Sequence, residues 1–156
     1  MERIRPLEIS WKAYTVFQFA AIVFTTINIV KPMDFYVKQS FETYTDESWD
    51  VFITEQPKHA TLYELYSRSV SASVFSTILL GLCITLTAFR KGEKWAWVAL
   101  VAGLVAINGI QAPISYKILG TAGALHDITW LCVGLVILLI PAKGFLAQNT
   151  AIGTGD

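Results

Sequence analysis

The sequence predicts an all-α integral membrane protein, a four-helix bundle with a long helical outer loop, and three observations carry that reading. Of 156 residues, 54% are hydrophobic and only 15% are charged, against ~25% charged in an average soluble domain. Mean hydropathy is +0.51. Four stretches, at 11–30, 69–89, 95–115 and 122–140, come close to the ~20 mostly apolar residues that a helix needs to cross a hydrocarbon core of ~30 Å. Residues 1–146 are read as one four-span domain and 147–156 as a flexible C-terminal tail, frayed after Pro141 and rich in Gly, Asn and Thr.

Composition also excludes function classes. Lys+Arg and Asp+Glu both number 12, so the formal net charge is zero, which removes the electrostatic case for a nucleic-acid partner. Cys83 and Cys132 lie inside apolar runs rather than in a CxxC or Cys/His cluster, so neither a disulfide framework nor a zinc site is indicated. No cofactor is expected.

Span one follows Arg3 and Arg5 like a secretory signal. Its apolar run is longer than a signal's, however, and it exits through Asn28, Lys31 and Pro32 without a small-residue cleavage site. It reads as an uncleaved span. Trp11, Tyr14, Gln18, Ala21, Thr25 and Asn28 recur along it at steps of three and four, a polar or small stripe that should face other helices, because polar groups in lipid cost free energy unless partnered.

Loop 31–68 is the one sizeable segment outside the membrane. Thr45-Asp46-Glu47-Ser48 offers an N-cap and acids for a first helical turn, and Trp49, Phe52 and Ile53 follow at i, i+3, i+4, predicting a short amphipathic helix. Pro57 is suited to start a second helix that runs through Leu62, Tyr63 and Tyr66 into span two.

Span two carries Ser69, Ser73, Thr77, Gly81 and Thr85 at four-residue spacing, a small-residue seam for close helix packing. Span three has two unlike faces, with Asn108, Gln111 and Ser115 on one and Ala99, Ala102, Gly103, Ala106 and Pro113 on the other. A helix with protein-seeking residues on both sides belongs in the middle of a bundle or against another chain. The small-residue faces of spans two and three thus offer a contact for a membrane-protein partner or a second copy. Span four sets Gly120, Gly123, Ala124, Asp127 and Gly134 on one face, beside His126 and Trp130.

Asp127 is the most informative residue. A carboxylate at the bilayer centre costs roughly 2.5 to 3.5 kcal/mol, so it needs a partner or a task. The short turn between spans three and four places Asp127, His126, Asn108 and Gln111 in the outer half of the bundle, with Asn28 at the outer end of span one and Ser73 and Ser76 at similar depth. Two readings follow. Either Asp127 accepts hydrogen bonds from Asn, Gln, Ser or His and the cluster fixes helix register, or Asp127, His126, Asn108, Gln111 and Asn28 line a cavity for a polar headgroup or small molecule, or a proton relay. Metal ligation is disfavoured, since His126 and Asp127 are adjacent and leave the helix ~100° apart. Hydrolysis through Ser73 or Ser115 lacks a nucleophile-elbow Gly pattern, and no phosphate-cradling Gly-rich loop is present.

The turn Arg90-Lys91-Gly92-Glu93-Lys94-Trp95-Ala96-Trp97, together with Ser48-Trp49-Asp50 followed by an apolar pair, resembles a group of small uncharacterised four-span membrane proteins. The likeness covers Ser48 to Trp97 and implies a four-helix membrane fold with no activity to carry over. More distant likenesses are to four-span sterol-isomerase-like and DoxX-like membrane proteins, although the chain lacks the several membrane acids and histidines that the former chemistry needs. The sequence alone therefore favours a non-enzymatic accessory subunit or binding module. The alternative is a small-molecule or lipid-binding protein, enzyme or transporter, using the polar cluster.

Orientation follows from basic residues in the short flanks. Arg3, Arg5, Lys12, Arg90, Lys91, Lys94 and Lys143 fall on one side, and Lys31, Lys38, Lys58, Arg68 and Lys117 on the other, a bias that puts both termini in the cytoplasm and loop 31–68 outside. In a background free of Cys83 and Cys132, Ser40→Cys or Ser48→Cys should react with an impermeant maleimide added to intact cells, and Gly92→Cys should not. Labelling of Gly92→Cys alone would reverse the orientation.

Overall fold

The computed structural model describes residues 4–33 and 36–147, and among these the ordered elements are all helical. In chain order they are α1 (Ile4–Val30), α2 (Tyr36–Thr45), α3 (Trp49–Glu55), α4 (Pro57–Thr87), a 3-10 turn (Phe89–Lys91), α5 (Lys94–Leu139) and α6 (Ala142–Ala147). Three helical stretches, Arg5–Val30, Pro57–Lys91 and Lys94–Leu139, are long and apolar enough to cross a membrane. The expected tail lies outside the described residues except for Ala147, which ends α6.

The polar stripe of α1 turns inward as its spacing requires. Tyr14, Gln18 and Thr25 are buried, whereas Val16, Phe19, Val23 and Ile27 of the same helix are exposed. This arrangement inverts that of a water-soluble bundle and suits a hydrocarbon surround.

The loop holds one more helix than its sequence pattern suggests. Residues 36–45 form α2, and Asp46, in the left-handed region at φ 56°, closes it with its N–H on the Glu42 carbonyl at 3.1 Å. Asp is among the few non-glycine residues that visit this conformation readily. Asp46 thus terminates α2 instead of entering the first turn of α3. The α3 N-terminus is capped from α2, where Glu42 Oε1 accepts the Trp49 N–H at 3.0 Å, while Ser48 makes no side-chain cap. Phe41, Trp49 and Ala60 form a small core flanked by Met33, Phe52 and Tyr63, with Phe41 and Trp49 edge to face at 5.0 Å. Pro57 occupies the first turn of α4 as expected, and α4 runs unbroken to Thr87.

The basic turn is built on Phe89 and Gly92. Phe89 is fully buried, and Gly92, at φ 81°, returns its N–H to the Phe89 carbonyl at 2.9 Å. The small-residue seam of α4 divides. Gly81 and Thr85 pack inward, with Gly81 facing Gln18 of α1, whereas Ser73 and Thr77 are exposed. Their hydroxyls donate to the Ser69 and Ser73 carbonyls one turn back, both at 3.0 Å, a local solution open to Ser and Thr in any helix.

The α5 helix is interrupted at Gly120, whose φ 63° and ψ −148° are essentially accessible to glycine alone. There the chain turns back on itself. A Cβ built on Gly123 would meet the Ser115 carbonyl oxygen at 2.6 Å, and one built on Gly134 would meet Leu104 Cδ2 at the same distance. The Trp97 indole Nε1 donates to the Leu138 carbonyl at 2.8 Å, so residues 94–119 and 121–139 lie side by side. The main core gathers at the far end of this hairpin. Tyr14, Ala88, Phe89, Ala96, Leu100, Leu104, Leu138 and Phe145 are buried together there, and Trp97 stacks on Phe145 at 5.5 Å.

Gly120→Val forces a β-branched residue into this region of backbone space and should cost about 1 to 3 kcal/mol of stability, read as a lower melting temperature in mild detergent. An unchanged melting temperature would show that the reversal does not depend on the glycine.

Candidate functional site

A cavity of about 540 Å³ lies between α1, α4 and the two arms of α5, with Val37 and Ser40 of α2 at its margin. Its size falls within the ~300 to 1,000 Å³ typical of small-molecule sites. All five residues singled out from sequence, Asn28, Asn108, Gln111, His126 and Asp127, line it. The reversal at Gly120 sets Asp127 opposite the arm that carries Asn108 and Gln111. Asp127 lies seven residues beyond the break, about 10 Å along the helix axis.

Asn28 and Asn108 are occupied within their own helices. Asn28 Nδ2 donates to the Phe24 carbonyl at 3.2 Å and Asn108 Nδ2 to the Leu104 carbonyl at 2.9 Å. Asp127 is 8% exposed, and its buried Oδ2 has no hydrogen-bond partner. The buried Gln18 Oε1, in the same cavity, also lacks one. Unpaired buried oxygens are rare in folded proteins, and each calls for a specific cause.

Aromatic rings make up much of the wall. Phe17 meets Trp130 at 5.1 Å, and His126 packs between Phe24 at 5.9 Å and Trp130 at 6.3 Å. The rest of the wall mixes aliphatic side chains, among them Val70, Val74 and Ile78 of α4 and Ile107 of α5, with hydroxyls such as those of Thr25, Ser67, Ser71 and Thr77, and among the described residues no lysine or arginine lines the cavity. The α4 helix packs mainly along α1 and touches α5 only sparsely, so a slot opens between α4 and the first arm of α5. A Cβ built on Gly103, at this slot, meets nothing within 4 Å.

Gln18 and the ring wall escaped the sequence reading as site residues. Gln18 was on the polar stripe of α1, and its burial beside Gly81 was the signal that could have promoted it. Ala99 and Gly103, on the face of span three opposite Asn108, line the same cavity as Asn108 and Gln111, because the space left by α4 covers a wide arc of that helix. Among the described residues no group of three or more His, Cys, Asp or Glu gathers as a metal site would require.

Comparisons with family models, curated proteins and solved structures find no match to the chain.

Since Oδ2 of Asp127 has no protein donor to lose, Asp127→Asn should leave the empty protein as stable as wild type, within about 0.5 kcal/mol, or slightly more stable. Thermal unfolding in detergent checks this. A loss above about 1 kcal/mol, beyond the ~0.6 kcal/mol average of hydrogen bonds measured in a membrane protein, would mean that Asp127 ties helices together.

Proposed function

We propose that this chain is a four-span membrane protein, with both termini cytoplasmic and loop 31–68 outside, that binds an amphipathic small molecule in the slot between α4 and α5. The observation that carries the reading is the buried, partnerless Asp127 Oδ2 inside a largely apolar cavity of about 540 Å³. A polar head supplies the missing hydrogen bond, and an apolar tail covers the valines and isoleucines of the slot. Four crossings are supported by lengths. At 1.5 Å per residue the 46 residues of α5 would reach about 70 Å if straight, more than twice a hydrocarbon core of ~30 Å, whereas each arm on its own suits one crossing.

Of the two roles read from the sequence, the small-molecule or lipid-binding protein, given there as the alternative, is favoured over the accessory subunit or binding module. The accessory-subunit reading drew on the small-residue face of span three, and Ala99 and Gly103 of that face line the slot. The open space at Gly103 also supplies the test. Gly103→Leu projects into the slot from a Cβ position with no atom within 4 Å and improves helix propensity by roughly 0.5 to 1 kcal/mol, so the variant should fold at least as well as wild type. Native-membrane nanodiscs of wild type should carry a stoichiometric amphiphile by mass spectrometry that Gly103→Leu lacks. Identical bound molecules in the two preparations would reject the slot.

A further inference from the structure

Building on that reading, we infer that the slot selects a lipophilic amine: a cationic head bearing at least one N–H, on an apolar chain. The two buried atoms without partners among the described residues, Asp127 Oδ2 and Gln18 Oε1, are both acceptors, so a group that completes either of them is a donor. The same cavity holds a carboxyl group and no lysine or arginine, so nothing cationic from the protein's long basic side chains balances an ionised Asp127. His126 is the other titratable group on the same helix at this level, and its ring packs with Phe24 and Trp130. Among the described residues, Tyr14, from α1, and Tyr63 and Tyr66, from α4, are the remaining titratable groups that line the cavity, and no tyrosine brings a positive charge.

An ammonium head meets each of these conditions at once. Its N–H donates to Oδ2 in a charge-assisted hydrogen bond, the strongest kind the site can form. Its positive charge neutralises the carboxylate in a region of low dielectric, where the pairing is little screened. The rings of Phe17, Phe24 and Trp130 add the attraction of aromatic faces for a cation. A carboxylate or phosphate head would instead be repelled by Asp127. A neutral alcohol could donate its hydroxyl but brings no charge to pair with a carboxylate. The chain of the ligand lies along Val70, Val74, Ile78 and Ile107, which border the slot.

The experiment compares dodecylamine with dodecanol, two probes of the same chain and different heads, on protein in phosphatidylcholine nanodiscs, with empty discs as the blank. Radiolabelled probe retained after dialysis is counted for wild type, Asp127→Asn and Gly103→Leu. Wild type should hold the amine about tenfold more tightly than the alcohol. Asp127→Asn, matched to wild type in melting temperature, should erase that preference, and Gly103→Leu should retain neither probe above the blank. Equal retention of amine and alcohol by wild type, or an amine preference that survives Asp127→Asn, overturns the cationic assignment while leaving an amphiphile slot in place. No retention of either probe by wild type overturns both.

Discussion

The arrangement hangs on a reversal of the backbone at Gly120. A residue with a side chain is excluded from the conformation it adopts, and Gly123 must lack a Cβ for the returning helix to pass the Ser115 carbonyl. Together these two glycines fold one long apolar helix into a pair of arms. Without the reversal, Asp127 would sit on the far extension of a rod, about 24 Å beyond Gln111 by helical rise. With it, both line a single cavity.

The two ends of the bundle are built differently. At the end holding the 3-10 turn and α6, aromatic and aliphatic side chains close a continuous core around Phe89 and Leu138, both fully buried. At the other end α4 stays with α1 and leaves the first arm of α5 partly uncovered. Leu104, pressed against Gly134, marks the floor between them. Rigid packing at one end allows the other to remain open without loss of the fold, since the core there closes without contributions from Asp127, His126 or Gln111.

Much of this could be read from the sequence, and the parts that could not have physical reasons. The inward stripe of α1 was legible because in a hydrocarbon surround the sign of the pattern simply inverts: Gln18 and Thr25 are buried while Val16 and Val23 face outward. The start of α4 at Pro57 was legible from one residue whose φ and missing N–H suit a first helical turn. The α2 helix was not, because its end depends on Asp46 taking a left-handed conformation and its role depends on Glu42 capping another helix, a contact between residues seven apart with no periodic signature. Asn28, Asn108, Gln111, His126 and Asp127 line one cavity, a juxtaposition legible from short turns that fix depth along the bundle. A cavity was one of two readings, and its size was not foreseeable, because its volume depends on how far α4 stands from α5, and no spacing within either helix encodes that distance.

The last turn of α5 carries a consequence for the order of assembly. A helix end leaves its final carbonyls without partners. Here the Ile137 carbonyl accepts the Ser10 hydroxyl at 2.7 Å, and the Leu138 carbonyl accepts the Trp97 indole. Ser10 and Ile137 are 127 positions apart, so the end of α5 is completed by a turn of α1 synthesised long before it. Until then the Ser10 hydroxyl, Gln18 and Thr25, all buried in the finished bundle, stand on one side of α1 without α5 to cover them. Loss of the last turn of α5 therefore reaches back to the first turns of α1, where it removes the acceptor of the Ser10 hydroxyl.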